Sequence, residues 1–270
     1  QGLPFLIHLA ASEMWNSACL SMALCPMLTA GGIDAVSAHA TDVIKQKYMP
    51  QLVSGKWTAT MNLTESHAGS DLSTLKTKAE PQGDHYLVRG QKIFITWGEH
   101  DMAENILHIV LAPMTDAPPG NKGLSLFLVP KFLVNEDGSL GERNDVRVVS
   151  TERKLGIHAS PTCVMSFGEN EGAIGYLIGE PGDGLACMFT LMNHARLEVG
   201  LEGVALAERA YQDALAYARE RVQGRNVESG ESAAIIQHPD VQRMLMCMKS
   251  LTDAMRGLTY DGAYSHDFRI

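Results

Sequence analysis

Cysteines are few in this sequence, and their arrangement excludes two classes of protein. The 270 residues contain 5 cysteines, which are scattered and form no CxxC pair. A secreted disulfide framework and a structural zinc site are therefore not predicted. Basic residues are also scarce: 22 Lys and Arg stand against 31 Asp and Glu, the net charge is −9, and no basic run occurs. This composition disfavours a nucleic-acid partner.

Other signals are also missing. No uninterrupted apolar stretch approaches the ~18–20 residues that cross a bilayer, so no membrane span is predicted. The sequence has no GxGxxG after a strand, no P-loop, no HExxH and no GxSxG. Its 10 histidines form no i, i+4 pair around a carboxylate, so no metal site is predicted. The chain opens at Gln1 without a leader and ends at Ile270 without a finishing element, so we expect a segment of a longer protein.

What is present is a globular composition, 45% hydrophobic and 20% charged, in three zones. Residues 1–56 are typical of helices: Gly31-Gly32 is expected to break the first, and Thr41 to cap a helix over Asp42–Leu52. Residues 57–180 are predicted to form a β domain. Residues 181–270 return to a helical period, with one helix of about 35–40 residues and a second that begins at His238-Pro239.

The β zone is predicted from alternating or apolar runs separated by turns rich in Gly, Pro, Asn and Asp. The runs are 57–63, 85–96, 106–112, 124–130, 146–150 and 162–167. Short strands without intervening helices favour an antiparallel sandwich or barrel over a doubly wound sheet. The predicted fold class is therefore α+β, with N-terminal helices, a central antiparallel β domain and a C-terminal bundle of long helices.

The most distinctive stretch is Leu63-Thr64-Glu65-Ser66-His67-Ala68-Gly69-Ser70-Asp71, directly after a predicted strand. Its small residues expose backbone N–H groups beside Ser70, and such a nest can hold a pyrophosphate or a flavin carbonyl. A polar turn that merely caps the strand explains the same residues. The stretch alone leaves both interpretations open.

This stretch resembles the T-E-x-x-A-G-S-D signature of the flavin-dependent acyl-CoA dehydrogenases. Further blocks resemble that family in the same order: 76–79, 90–96, 154–161, 179–185, Arg196 and 217–225. The resemblance spans residues 57–250, and the helix–sheet–helix order agrees with the family's architecture. The run from Trp97 to Asp101, and His158 where arginine is common, are similar to the larger bacterial members with an additional C-terminal region.

The resemblance implies FAD as the cofactor. Leu63 and Thr64 are expected at the pyrimidine edge of the flavin, and Ser70 near its pyrophosphate and the CoA chain. Phe94 is expected against the isoalloxazine and Thr96 near N5. The full implied cofactor set is Met61, Leu63, Thr64, Gly69, Ser70, Phe94, Ile95, Thr96, Arg221, Gln223 and His238. The implied substrate set is Ser70, Asn193, His194 and Arg196; for His194 a purely structural role is an equal alternative.

The implied reaction is α,β-dehydrogenation of an acyl-CoA thioester to the 2-enoyl-CoA. A carboxylate base must remove the α proton, and we expect that base C-terminal to residue 270. Some relatives place a glutamate just before the position of Arg196, where this chain has Ala195. Glu198 and Glu202 fall on other helix faces and are expected to be solvated or ion-paired at the surface. Glu65 is expected to be structural.

The resemblance also implies partners: an acyl-CoA substrate, an electron-transfer flavoprotein as acceptor, and a homo-oligomer, either a dimer or a tetramer. It places the protein in the bacterial cytoplasm. Three alternatives stay open. They are a flavin oxidase of the same fold, acting on acyl-CoA or on nitroalkanes; a non-catalytic member that binds flavin and DNA, which the charge of −9 opposes; and a scaffold whose flavin motif has decayed.

Overall fold

The structure, a computed structural model, describes residues 3–268, in which four α-helices and twelve β-strands follow one another. In chain order they are α1 (Phe5–His39), α2 (Asp42–Val53), β1 (Trp57–Asn62), β2 (Lys78–Gln82), β3 (His85–Thr96), β4 (Asn105–Pro113), β5 (Leu124–Pro130), β6 (Phe132–Val134), β7 (Leu140–Arg143), β8 (Val146–Thr151), β9 (Thr162–Phe167), β10 (Ala173–Ile178), α3 (Gly184–Glu220), β11 (Val222–Arg225), β12 (Ser232–Ala234) and α4 (Pro239–Asp267). The chain divides into two units, Ser21–Ala195 and the combination of Gln1–Leu20 with Arg196–Ile270.

The unit Ser21–Ala195 is built on one eight-stranded sheet. Its order is β1-β4-β5-β10-β3-β9-β8, and β2 pairs with β3 off this path. Among the described strands of this sheet the pairs are antiparallel, except that β1 runs parallel to β4 with Trp57 opposite Asn105. The predicted α+β class is confirmed, and the parallel pair is the feature that the strand pattern did not indicate.

The central strands are buried on both faces of the sheet, which explains why β4 and β5 are largely apolar. Leu107, Ile109 and Leu111 belong to one core, which also contains residues of α2 and the start of α3. Val110 and Ala112, which point to the other face, belong to a second core formed largely by β3, β5 and β9. Alternate residues of β4 thus contribute to the two cores on opposite faces of the sheet.

Gly31-Gly32 does not break the first helix, contrary to the sequence-based expectation. α1 continues through both glycines. A Cβ on Gly32 would lie 2.5 Å from the Cβ of Ala59, so the glycine lets α1 approach β1 closely. The helical backbone of α1 is instead interrupted at Cys19, where φ is −159° and ψ is 90°.

By length and composition, helix α1 is long and apolar enough to cross a membrane. In its most apolar part, 44% of the 18 residues are buried inside the protein. The core helix of a soluble protein meets the same criteria. Polar residues such as Ser12 and Asn16, which are 5% exposed, interrupt its apolar runs. A search for uninterrupted apolar stretches therefore does not find it.

The other unit contains α4, most of α3 and the beginning of α1. Leu9, Leu201 and Ala263 form its small apolar core. The Arg256 guanidinium donates to Glu13 and Glu208, both at 2.8 Å. As predicted, α4 begins at Pro239 with His238 at the N-cap position.

Candidate functional site

The predicted flavin turn begins where β1 ends. The Leu63 carbonyl accepts a hydrogen bond from Lys92 Nζ at 2.9 Å, and the Thr64 carbonyl accepts one from the Ile93 N–H at 2.9 Å. Both donors belong to β3, so the end of β1 lies beside the last part of β3. The structure therefore brings together two blocks that are about 30 positions apart in the sequence.

The turn itself is closed by reciprocal backbone hydrogen bonds between Glu65 and Ala68, at 2.8 and 3.0 Å. Gly69 and Ser70 follow and are exposed. A Cβ on Gly69 would lie 3.7 Å from the Thr64 methyl group, so these residues are neighbours on one surface. The result is the small, polar, accessible turn that the sequence predicted.

Beneath the turn lies a buried ion pair. Lys92 is 0% exposed and its Nζ lies 3.0 Å from Glu65 Oε1. Burial would raise the pKa of Glu65, but the Lys92 ammonium and N–H donors from Thr77 and Lys76 hold that pKa below its usual value. Burial lowers the pKa of Lys92 to about 8, although Glu65 opposes the shift. Glu65 is thus structural, as expected.

Phe94 faces solvent because β3 is irregular at this point. The pairing of β3 with β9 shifts register between Lys92 and Ile95. Phe94 has φ +60° and is 59% exposed, whereas Ile95 is 1% exposed and packs in the second core. Bulges of this kind re-aim side chains beside functional sites. Any contact of Ile95 with a cofactor would therefore involve its backbone.

Thr96 is half-buried and precedes a second strained residue, Trp97, whose φ is +54°. The Trp97 indole N–H donates to the Ser21 carbonyl at 3.0 Å, and its backbone N–H donates to the Pro161 carbonyl at 2.7 Å. These bonds fix the chain on the far side of Thr96. Two non-glycine residues at positive φ within four positions store strain, which is typical of functional sites.

Sequence reasoning missed a buried polar chain that leads along β1 to the turn. Asn62 Nδ2 donates to Thr60 Oγ1 at 2.9 Å, and Thr60 Oγ1 lies 2.8 Å from His108 Nδ1. Burial lowers the pKa of His108 to about 3, so its imidazole is neutral. The half-buried Met61 lies between Thr60 and Asn62. The one signal in the sequence was a histidine inside the otherwise apolar β4.

The other unit brings together Arg221, Gln223 and His238. Arg221 donates to Gln223 Oε1 at 3.3 Å, and His238 Nε2 lies 2.6 Å from the Gln223 carbonyl oxygen. Gly224 has φ +76°, and a Cβ there would approach the His238 ring to 3.3 Å. These three residues form one exposed cluster, and their contact with a flavin stays a prediction.

Of the residues implied for substrate binding, Asn193 and Arg196 are exposed on α3 and His194 is buried. His194 Nδ1 lies 2.9 Å from Asp34 Oδ2, within the unit Ser21–Ala195. This contact is compatible with the structural alternative for His194, and its role toward a substrate stays a prediction.

The expectation that Glu198 and Glu202 lie at the surface is wrong for Glu198. That side chain is 1% exposed, and its Oε1 lies 2.6 Å from His8 Nε2 and 3.2 Å from Ser12 Oγ, so Glu198 is buried and hydrogen-bonded and is not solvated. Glu202 Oε1 is buried and has no hydrogen-bond partner among residues 3–268. Burial, together with the Glu198 charge, raises the pKa of Glu202. Helical spacing alone did not reveal this burial.

A cavity of about 850 Å³ lies away from these residues. Its lining includes Lys47, Tyr48 and Tyr176, with carboxylates of opposite charge to the lysine at Asp84 and Asp137. None of the predicted site residues lines it. Its mixed charge favours no one ligand.

The strand-end turn and the outward-facing aromatic fit a flavin. A flavin presents a flat aromatic ring system with hydrogen-bond acceptors on its edges. Phe94 offers an exposed ring, Thr96 lies two positions further along the same strand, and the Thr64 carbonyl lies beside the Ile93 N–H. The carbonyls of Leu63 and Thr64 each accept a protein hydrogen bond. The hydroxyls of Thr64, Ser70 and Thr96 can donate to acceptors on the edge of a flavin.

The fold and the site thus define a mixed helix-and-sheet protein whose strand-end turn and exposed aromatic ring suit a flat aromatic cofactor. The chain belongs to the acyl-CoA dehydrogenase family: residues 60–169 match the model of its middle domain and residues 182–269 that of its C-terminal domain. Members of this family are FAD-dependent flavoproteins.

Among its relatives, the 3-methylmercaptopropionyl-CoA dehydrogenase of Ruegeria pomeroyi is 53% identical over 260 residues, which are 95% of this chain and 44% of that protein. The chain thus spans less than half of this curated relative. Butyryl-CoA dehydrogenase from Megasphaera elsdenii has a TM-score of 0.81 at 26% identity, over 99% of this chain and 64% of that one. A structure described as the electron transferring flavoprotein of Acidaminococcus fermentans has a TM-score of 0.80 at 26% identity, over 99% and 65%.

Proposed function

We propose that this chain is the FAD-binding part of an acyl-CoA dehydrogenase that oxidises a saturated acyl-CoA to the 2-enoyl-CoA. The observation that carries the proposal is the strand-end turn beside the strained, exposed Phe94, in a chain whose family binds FAD. Residues of the turn, Thr64 and Ser70, would hold the cofactor through donors. Phe94 would cover the ring system, and Thr96 would donate to its edge.

The chemistry divides between the cofactor and the protein. When bound, FAD supplies the acceptor for the hydride that leaves the β carbon of the substrate. The chain's own residues would orient this group, and the hydroxyls of Thr64, Ser70 and Thr96 would donate hydrogen bonds to it. The α proton needs a carboxylate base, and we place that base C-terminal to residue 270.

The proposed substrate is a short, linear acyl-CoA. The relatives described above are named for butyryl-CoA and for 3-methylmercaptopropionyl-CoA, whose acyl chains are both short and unbranched. Ser70, Asn193, His194 and Arg196 are the proposed contacts with the substrate. An electron-transfer flavoprotein is the proposed acceptor, in line with the matched structure described under that name. The relatives come from bacteria, and we place the protein in a bacterial cytoplasm.

We further propose that the protein is a homo-oligomer, a dimer or a tetramer. α3 carries a row of small residues, and a Cβ on Gly200 or Gly203 would meet nothing within 4 Å. Close by, Val199 is 53% exposed and Leu206 is 45% exposed. Such a face suits another helix. Light scattering on the full-length protein that gives a monomer mass contradicts this proposal.

The decisive test of function is an anaerobic visible spectrum of the full-length protein during titration with acyl-CoAs. Butyryl-CoA and 3-methylmercaptopropionyl-CoA are expected to bleach the flavin band, and palmitoyl-CoA is expected to bleach it less. The matched comparison is the Thr96→Val variant, which keeps the shape of the side chain but removes the hydroxyl donor. Its flavin band is expected to bleach more slowly than that of the wild type.

Three results are possible that contradict the proposal, and each contradicts a different part of it. A protein without a flavin band contradicts the cofactor assignment. A flavin band that no acyl-CoA bleaches contradicts the dehydrogenase assignment. Reduced flavin that oxygen reoxidises rapidly in the presence of product identifies an oxidase instead.

A further inference from the structure

The buried pair of Lys92 and Glu65 lies directly under the proposed flavin turn but contains no residue expected to touch the cofactor. Lys92 is 0% exposed and Glu65 is 5% exposed. Placing two charges in a protein interior costs free energy that a well-packed apolar pair would not incur. Their contacts therefore need a reason beyond simple packing.

The hydrogen bonds of the pair reach three separate segments. Lys92 Nζ donates to the Leu63 carbonyl at 2.9 Å and to Glu65 Oε1 at 3.0 Å. Glu65 accepts the backbone N–H of Lys76 at 2.8 Å and that of Thr77 at 3.0 Å. The end of β1, the chain that leads into β2 and the strand β3 are thus joined at one point.

One member of the pair, Lys92, lies two positions before Phe94 in the chain. The N–H of Ile93, between Lys92 and Phe94, donates to the Thr64 carbonyl at 2.9 Å. Lys92 and Ile93 together therefore fix both carbonyls at the start of the turn. The bulge that turns Phe94 outward begins at Lys92. The contacts of Lys92 and Ile93 thus determine where the turn 63–70 lies relative to the exposed ring of Phe94.

We propose that Lys92 and Glu65 are positioning residues for FAD, which hold the turn 63–70 at the correct distance and orientation from Phe94 and Thr96. The inference rests on the proposed function, since it concerns the same site. Loss of the pair would leave the turn and the β3 end individually intact. It would loosen their relative placement, on which recognition of one rigid ligand by both depends.

The test compares three variants of the full-length protein: Lys92→Met, Glu65→Gln and the double variant. FAD is the probe, and the dissociation constant is measured on the apoprotein by quenching of flavin fluorescence. The melting temperature is measured on the same samples. Each single variant leaves an uncompensated buried charge or opposed N–H groups, so both are expected to lower the melting temperature.

The double variant separates positioning from stability, because it contains no uncompensated buried charge. Its melting temperature is expected to recover toward that of the wild type. Its dissociation constant for FAD is expected to stay raised about tenfold or more, the size expected when a charge-assisted hydrogen bond is lost. Amide hydrogen exchange in residues 63–70 is expected to stay faster than in the wild type.

Lys131→Met is the matched control. Lys131 also donates to a carboxylate and to a carbonyl, those of Glu99 and His100, within the same unit. Its loss is expected to lower the melting temperature without changing the affinity for FAD. This control shows whether loss of any buried lysine in the β domain weakens FAD binding.

The results distinguish a positioning role of the pair from a purely structural one. If the affinity for FAD recovers together with the melting temperature in the double variant, the pair is only structural and the inference is wrong. The same holds if Lys131→Met weakens FAD binding as much as Lys92→Met. Where Lys92→Met does not fold, the double variant, which carries no uncompensated buried charge, is compared with Glu65→Gln by the same two measurements. A wild-type protein that binds no FAD overturns the proposed function, and this inference with it.

Discussion

Phe94 combines two features that a residue without a function would not keep. An aromatic ring that is 59% exposed contributes little burial, and a non-glycine backbone at φ +60° costs about 1–2 kcal/mol. The position therefore loses stability in exchange for an outward-facing ring. A sequence cannot reveal the sign of φ here, because it follows from the register shift against β9.

We predict that Phe94→Gly stabilises the protein by about 1 kcal/mol and weakens FAD binding. Glycine adopts the positive φ without strain, and the lost ring contributes little to the folded state. The comparison variant is Phe94→Ala, which loses the ring but keeps the strain. Thermal unfolding and FAD titration of both check the prediction, which fails if alanine is as stable as glycine.

The environment of Glu202 leads to a prediction about how protein stability depends on pH. Its pKa is raised by burial and by Glu198, so the folded state binds the Glu202 proton more tightly than the unfolded state does. The stability that it contributes is therefore complete below the unfolded pKa and is lost as pH rises through the folded pKa. We predict that Glu202→Gln stabilises the protein by about 1 kcal/mol near pH 7.5, and that the gain shrinks as the pH falls toward about 4.5.

The matched control for Glu202 is Glu208→Gln on the same helix. The Arg256 hydrogen bond lowers the pKa of Glu208, so its removal is expected to destabilise the protein near neutral pH. Thermal melts across the pH range measure the expected gain in stability of Glu202→Gln and the expected loss in stability of Glu208→Gln. Turnover of Glu202→Gln is expected to stay within about threefold of wild type, whereas loss of a general base costs about 10²–10⁴-fold. A loss of that size would place the base at Glu202.

Among the elements, contact between α1 and β1 depends on Gly32. We predict that Gly32→Ala destabilises the protein by about 1–3 kcal/mol, because its Cβ would lie 2.5 Å from that of Ala59. The second change Ala59→Gly is expected to restore most of the loss. Gly257→Ala on α4, where nothing lies within 4 Å, is the control and is expected to be neutral or stabilising. Chemical denaturation of these three variants measures the effect, and the prediction is wrong if Gly32→Ala behaves like Gly257→Ala.

Elements with a strong local signal were predictable from the sequence. The runs 85–96, 124–130 and 162–167 coincide with β3, β5 and β9, and the 37 residues of α3 fall within the predicted helix length of about 35–40. The strand β10 was missed. Its segment Ala173–Ile178 contains Gly175, and its pairing partners are distant in the sequence. Local propensity does not contain that information.

At the scale of the molecule, the family motifs supplied what periodicity could not. The turn and the end of β3 were predicted to share a site only through the resemblance, and the structure places them side by side. The parallel pairing of β1 with β4 and the burial of Glu198 had no sequence signal. Both depend on which distant segments meet, and this is decided by the whole chain.

The position of β10 in the sheet has a consequence for biosynthesis. In the described strand order β10 pairs with β5 on one side and with β3 on the other, so it links the half formed by β1, β4 and β5 to the half formed by β3, β9 and β8. A nascent chain therefore cannot complete the ladder until Ala173–Ile178 has left the ribosome. Until then the hydrogen bonds that Lys92 and Ile93 donate to the carbonyls of Leu63 and Thr64 can hold the turn beside β3, but the continuous sheet behind them is incomplete.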